Sequence, residues 1–171
     1  RDDDVVIEID PGMAFGTGTH ATTVLCLEAL EDCVTEGVEV FDIGTGSGIL
    51  AVAAAKLGAL VQAGDIDPLA VKIAKENVRL NKVQDRVRLR NGNLGEAFSG
   101  QADIVVANII ADVIIELIPE LPTLMKPDGM LLASGIIENR VDDVLSQVEA
   151  AGYRCVGRSD DSGWCLLKVR K

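Results

Sequence analysis

Three glycines at alternate positions, Gly44, Gly46 and Gly48, follow Asp42 at the end of an apolar stretch, and a second apolar run occupies 49–57. Residues without a Cβ let the backbone turn sharply and lie close against a ligand. The G-x-G-x-G spacing is tighter than the G-x-G-x-x-G of dinucleotide sites and favours S-adenosylmethionine, an adenosine bearing a sulfonium amino acid and no pyrophosphate. Asp42 can accept hydrogen bonds from the turn, orient the ligand's amino group, or brace the loop. Asp65, 21 residues beyond Gly44, falls at the end of the next apolar stretch, where a carboxylate accepts from both ribose hydroxyls. Asp67 competes for that role, but its position before Pro68 suits a helix cap. Asn108 ends the run Ile104-Val105-Val106-Ala107. Its amide either braces a turn or accepts from an incoming amine, aiming the nitrogen lone pair along the S–CH₃ axis.

These three segments meet only if the strands before them end side by side. Apolar, β-rich runs predict strands at 38–43, 60–63, 87–90, 103–107 and 130–133, and a short strand at 5–9. Helices are expected at 20–32, at 49–57 (apolar all round, hence deeply packed), after Pro68, from 111 onward and over 141–151. On the helix after Pro68, Leu69, Ile73, Ala74 and Leu80 should face the core, with Lys72, Lys75, Glu76 and Arg79 opposite. Pro119 and Pro122 should disturb the fourth helix, Pro127-Asp128-Gly129 should turn the chain, and Gly152 should cap the last helix. Two closing strands, 153–157 and 164–169, read as a hairpin around 158–163. The expectation is an α/β fold, a doubly wound, mostly parallel seven-stranded sheet with an antiparallel C-terminal strand and the ligand at the strand C-termini.

A chain of 171 residues with 48% apolar and 25% charged residues suits one domain with a substantial core. Its net charge of −11 argues against general nucleic-acid binding, which needs clustered Lys and Arg, and is compatible with a basic protein substrate. No apolar stretch reaches membrane-spanning length and no secretory signal opens the chain, so no membrane partner and a cytoplasmic location are expected. The four cysteines form no C-x-x-C and His20 is the only histidine, which speaks against zinc and for free thiols.

The loop Asp10-Pro11-Gly12-Met13-Ala14-Phe15-Gly16-Thr17-Gly18-Thr19-His20-Ala21-Thr22-Thr23 narrows the field. With Asp42-Ile43-Gly44-Thr45-Gly46-Ser47-Gly48, Asp65-Ile66-Asp67-Pro68 and Ala107-Asn108-Ile109 it closely resembles the bacterial ribosomal protein methyltransferases, class I S-adenosylmethionine-dependent enzymes with a Rossmann-like fold. The resemblance extends over essentially the whole chain and implies N-methylation of lysine and N-terminal amines of large-subunit ribosomal protein eleven, releasing S-adenosylhomocysteine. It implies a ligand site at Thr23, Gly44, Asp65 and Asn108, with Phe15 covering the cofactor and 16–18 closing as a lid. It also implies that residues 1–171 are the catalytic domain, apart from the N-terminal substrate-recognition domain of that family. A class I methyltransferase acting on another protein, a small molecule, a glutamine or a nucleobase, an NAD-dependent oxidoreductase and a non-catalytic cofactor-binding module are the alternatives. Asn108-Ile109-Ile110 lacks the Asn-Pro-Pro-Tyr signature for amide and base nitrogens, and the third-glycine spacing disfavours NAD.

Overall fold

The computed structural model describes residues 3–10 and 20–171. Seven strands, β1 (Glu39–Ile43), β2 (Leu60–Asp65), β3 (Val87–Asn91), β4 (Ala102–Asn108), β5 (Met125–Ile137), β6 (Arg154–Asp161) and β7 (Trp164–Arg170), form one sheet in the order β3-β2-β1-β4-β5-β7-β6. β3, β2, β1, β4 and β5 pair in parallel, while β7 runs antiparallel to both β5 and β6. This is the doubly wound arrangement expected. The connections reverse direction between β1 and β4, which opens a crevice beyond the carboxyl ends of those strands.

Period-two alternation divides the apolar residues of β4 between two cores. Ile104 and Val106 join the core beneath α1 (Ala21–Cys33), α2 (Ile49–Lys56) and α3 (Pro68–Leu80). Val105 and Ala107 join the core beneath α4 (Ala111–Leu117), α5 (Leu121–Leu124) and α6 (Val141–Ala150). α2 is buried from Ile49 through Ala55, as its uniformly apolar sequence requires, and its alanines let it lie close against its neighbours. The chain passes from α4 to α5 through a single tight turn, Ile118–Glu120, because Pro119 and Pro122 lack amide donors for a continuous helix.

α3 starts as its sequence predicts: the Asp67 carboxylate accepts from the Leu69 N–H at 2.9 Å and Pro68 occupies the first turn. Its buried arc differs. Ala70, Val71, Ile73, Ala74, Asn77 and Val78 face inward, whereas Leu69 and Leu80 lie at the arc's margins and are each 48% exposed. Gly152, at φ +83°, stands just past the end of α6.

Three further expectations are corrected. Residues 5–9 form no strand. Ile7 and Ile9 do pack on the first core, but the backbone at 8 and 10 bonds to the side chains of Asn81 and Asn77 on α3, not to a strand. Pro127-Asp128-Gly129 does not separate two elements but sits inside β5, whose pairing jumps from Ala102↔Met125 to Ile104↔Met130 so that the extra residues bulge out. The terminal hairpin is tighter than 158–163: β6 continues through Asp161, and only Ser162 and Gly163, at φ +53° and +82°, make the turn, the two-residue geometry that matches strand twist. All four cysteines are free; Cys165 pairs in register with Asp160 and Cys155 with Val169, which keeps the two thiols apart. Among the described residues, no helix is long and apolar enough to cross a membrane.

Candidate active site

At the carboxyl ends of β1, β2, β3 and β4 lies a cavity of about 330 Å³. Gly44, Thr45 and Gly46 line it from the turn after β1, Asp65 and Ile66 from the end of β2, Gly92, Asn93 and Leu94 from the segment after β3, Asn108, Ile109 and Val113 from β4 and α4, and Thr23 from α1. The sheet topology thus brings together Thr23, Gly44, Gly46, Asp65 and Asn108, five of the residues singled out in the sequence. Phe15 and the expected lid at 16–18 lie outside the described residues.

The glycine turn is fixed from below. The N–H groups of Gly44 and Thr45 both donate to the Gly64 carbonyl at 2.9 Å, which fastens the turn to β2. All three glycines have positive φ, and Gly48 starts α2 in the left-handed conformation. A Cβ on Gly44 would stand 2.7 Å from the Ile109 side chain, so the turn packs directly against the segment after β4.

Asp65 joins two of these segments. One carboxylate oxygen accepts from the Gly46 N–H at 2.9 Å and the other from the Asp67 N–H at 3.0 Å. A carboxylate offers about four lone-pair positions, so this held group keeps acceptor capacity toward the cavity, as two ribose hydroxyls require. Asp67, spent on the α3 cap, does not line the cavity.

Asn108 ends β4 and donates through Nδ2 to Thr23 Oγ1 in a long hydrogen bond of 3.5 Å. That contact orients the carboxamide and leaves Oδ1 as an acceptor. Thr23 is 1% exposed in the first turn of α1, whose N-terminal cap is His20; the ring Nδ1 accepts from the Thr22 N–H at 3.2 Å. His20 thus caps α1.

Asp42 sits differently from its companions. It is 1% exposed beneath the turn and is not among the residues lining the cavity. Its Oδ2 accepts from Thr45 Oγ1 at 2.7 Å, so the carboxylate braces the turn, one of the roles open to it from sequence. Among the described residues Oδ1 meets no donor with hydrogen-bond geometry, although the Ala51 amide in the first turn of α2 favours the anion. Burial pushes the Asp42 carboxyl up to about 7, with the charge of Asp65 adding to the shift and the Thr45 hydroxyl opposing it.

Sequence reasoning passed over Gly92, Asn93 and Leu94. The signal was present: Asn91 ends a strand whose carboxyl end faces the same crevice, and Gly92 and Asn93 directly follow it. Leu94 holds φ +45°, unusual for a branched side chain, and a reciprocal cap fixes the loop, with the Glu96 carboxylate accepting from the Asn93 N–H at 3.1 Å. Among the described residues no lysine or arginine lines the cavity, so they offer no fixed cation to a pyrophosphate.

The family model described as "Ribosomal protein L11 methyltransferase (PrmA)" matches residues 1–171. A protein named ribosomal protein L11 methyltransferase from Desulfitobacterium hafniense is 59% identical over 98% of this chain and 54% of its own length. One of the same name from Heliobacterium modesticaldum is 52% identical over 100% of this chain and 54% of its own. This chain therefore spans about half the length of the curated relatives it matches. Among solved structures, the ribosomal protein L11 methylase of Lactobacillus delbrueckii subsp. bulgaricus superposes with a TM-score of 0.94 at 34% identity, covering 100% of this chain and 88% of that one. With this fold, this crevice and these relatives together, the chain belongs to the ribosomal protein L11 methyltransferase family.

Proposed function

We propose that this domain binds S-adenosylmethionine in the cavity above β1, β2 and β4 and transfers its methyl group to lysine side-chain and N-terminal amines of ribosomal protein L11, in the cytoplasm. The observation that carries the reading is Asp65: a carboxylate fixed by the Gly46 amide at the lip of a cavity with no cationic residue among the described ones. A cavity of about 330 Å³ is of the size that takes a compact organic ligand. A site whose described lining has one carboxylate and no Lys or Arg suits a sulfonium better than a pyrophosphate. In this reading Asp65 accepts from the ribose hydroxyls. Gly44 and Gly46 let the backbone come close to the ligand, Thr23 lies toward its amino-acid end, and Ile66 and Leu94 contribute apolar walls.

S-adenosylmethionine, when bound, supplies an electrophilic methyl on positively charged sulfur. The residues here contribute position. A lysine amine is protonated in water, with a pKa near 10.4, and attacks only when neutral. Asn108 Oδ1, held outward by the Nδ2 contact to Thr23, accepts an N–H of the neutral amine and directs its lone pair. The amine's proton passes to bulk water. Holding nucleophile and methyl in near-attack geometry accounts for most of the barrier reduction.

The test is transfer of labelled methyl from S-adenosylmethionine to purified ribosomal protein L11, with the products mapped to individual amines. Incorporation at amines is expected, and Asn108→Ala should lower turnover at saturating substrates by about 100-fold, within the range set by lost alignment. Full turnover in Asn108→Ala would remove the orienting role. Wild-type chain that binds S-adenosylhomocysteine yet labels a small molecule or another protein in place of L11 would redirect the substrate assignment.

A further inference from the structure

Two asparagines four residues apart on α3 each bracket one residue of the extended segment at 8–10. Asn81 Oδ1 accepts from the Glu8 N–H at 2.9 Å while its Nδ2 donates to the Glu8 carbonyl at 2.6 Å. Asn77 Oδ1 accepts from the Asp10 N–H at 2.8 Å while its Nδ2 donates to the Asp10 carbonyl at 2.8 Å. Four residues of helix advance about 6 Å. Two residues of extended chain advance about 6.6 Å. The two repeats nearly coincide, so α3 offers this segment the donor–acceptor ladder that a neighbouring strand would offer.

Each carboxamide has a second amide hydrogen. That of Asn81 goes to the Asn77 carbonyl at 2.8 Å. That of Asn77 goes to the Ser47 carbonyl at 2.8 Å, inside the glycine turn. Ser47 lies between Gly46, whose N–H is held by Asp65, and Gly48, where a Cβ would stand only 3.0 Å from the Ala74 Cβ of α3. One planar group, 1% exposed, therefore holds the segment at residue 10 and the turn that lines the cavity. Rotating it to release one partner breaks its bonds to the other as well, and leaves the buried Ser47 carbonyl without this donor.

We propose that Asn77 is a positioning residue that couples docking of residues 8–10 to binding of the adenosyl ligand, through its shared hydrogen bonds to Asp10 and Ser47. The coupling rests on the cofactor reading above. Linkage makes it reciprocal: a ligand that settles the turn tightens the segment, and a docked segment tightens the ligand. A clip serving only the fold would add stability and leave ligand affinity and segment docking independent.

The amides of Glu8 and Asp10 report on this directly, because their acceptors are the two side chains. Hydrogen exchange at both is measured in the whole chain, with and without saturating S-adenosylhomocysteine, beside calorimetric titration of the same ligand. Ligand should slow exchange at both amides. Asn77→Asp keeps an acceptor for the Asp10 N–H and loses the donor to both carbonyls; it should bind about fivefold or more weakly and lose the ligand-dependent slowing. Asn81→Ala, which frees Glu8 but leaves the Ser47 contact, should weaken binding less. Unaltered exchange in saturated wild-type chain overturns the coupling alone and needs no variant to fold. Failure of the wild-type chain to bind the ligand overturns the cofactor reading, and the coupling with it.

Discussion

Asp42 and Asp65 stand one strand apart at the same edge of the sheet and have opposite circumstances. Asp65 is partly exposed at the cavity, with both oxygens held by backbone amides, whereas Asp42 is buried with one oxygen bonded to Thr45 and the other without a hydrogen-bond partner among the described residues. In the unfolded chain the Asp42 carboxyl has its ordinary value near 3.8, and in the folded protein about 7. Between those values the folded state keeps a proton that the unfolded state has lost, so this group's stabilising contribution is complete below about pH 3.8 and fades as pH rises toward about 7. Other carboxylates act in the opposite sense: the Glu39 backbone N–H and the Lys126 ammonium hold Asp103 below its usual range. The clean comparison is therefore wild type against Asp42→Asn, which keeps an acceptor for Thr45. The stability of wild type relative to Asp42→Asn, from urea denaturation, should fall between pH 4 and pH 7 and level off above, by a few kcal/mol on the order of magnitude of a multi-unit shift. A difference that stays constant over that range would show that Asp42 is not protonated by burial.

At the level of elements, the glycine turn and the start of α3 make contrasting demands. Gly44→Ala places a Cβ 2.7 Å from Ile109 at φ +73°, so both backbone and packing must yield. A cost of about 2–4 kcal/mol is expected, from a left-handed non-glycine residue plus overpacking, together with loss of ligand affinity. Asp67→Ala removes only a helix cap and should cost about 1 kcal/mol while leaving ligand affinity unchanged. Denaturation midpoints and calorimetry on both variants measure this; a tolerated Gly44→Ala, or an Asp67→Ala that abolishes binding, would reverse the roles given to the turn and the cap. The elements most legible in the sequence are those whose burial leaves one solution, such as α2, apolar all round, and β4, apolar on both faces. Less legible were those whose partner is unusual. The alternation at 5–9 looks the same whether its backbone meets a strand or the asparagines of a helix. Pro127-Asp128-Gly129 carries turn chemistry that a bulge inside β5 also uses. The buried placement of Asp42 was readable: Phe41 and Ile43 enter one core, so their neighbour must point to the opposite side of β1, toward the helix that follows the turn.

For the molecule as a whole, the site is a consequence of topology. Residues as distant in sequence as Thr23 and Asn108 meet because the reversal between β1 and β4 leaves both at one crevice, flanked by the two cores that hold the sheet rigid. The C-terminal hairpin adds β7 and β6 on the side away from β1 and contributes core and breadth to the sheet, while none of its residues lines the cavity. The net charge of −11 belongs to the whole chain, yet among the described residues the cavity carries a single carboxylate, so in the proposed reading affinity rests on shape, apolar contact and Asp65. The most direct test is calorimetric titration of S-adenosylhomocysteine into the wild-type chain and into Asp65→Ala. The wild type should bind at one site, and Asp65→Ala should bind about 100-fold more weakly, as loss of two hydrogen bonds to a charged acceptor requires. Equal affinity in the two proteins, or no binding by the wild type, would contradict the assignment of this crevice to an adenosyl ligand.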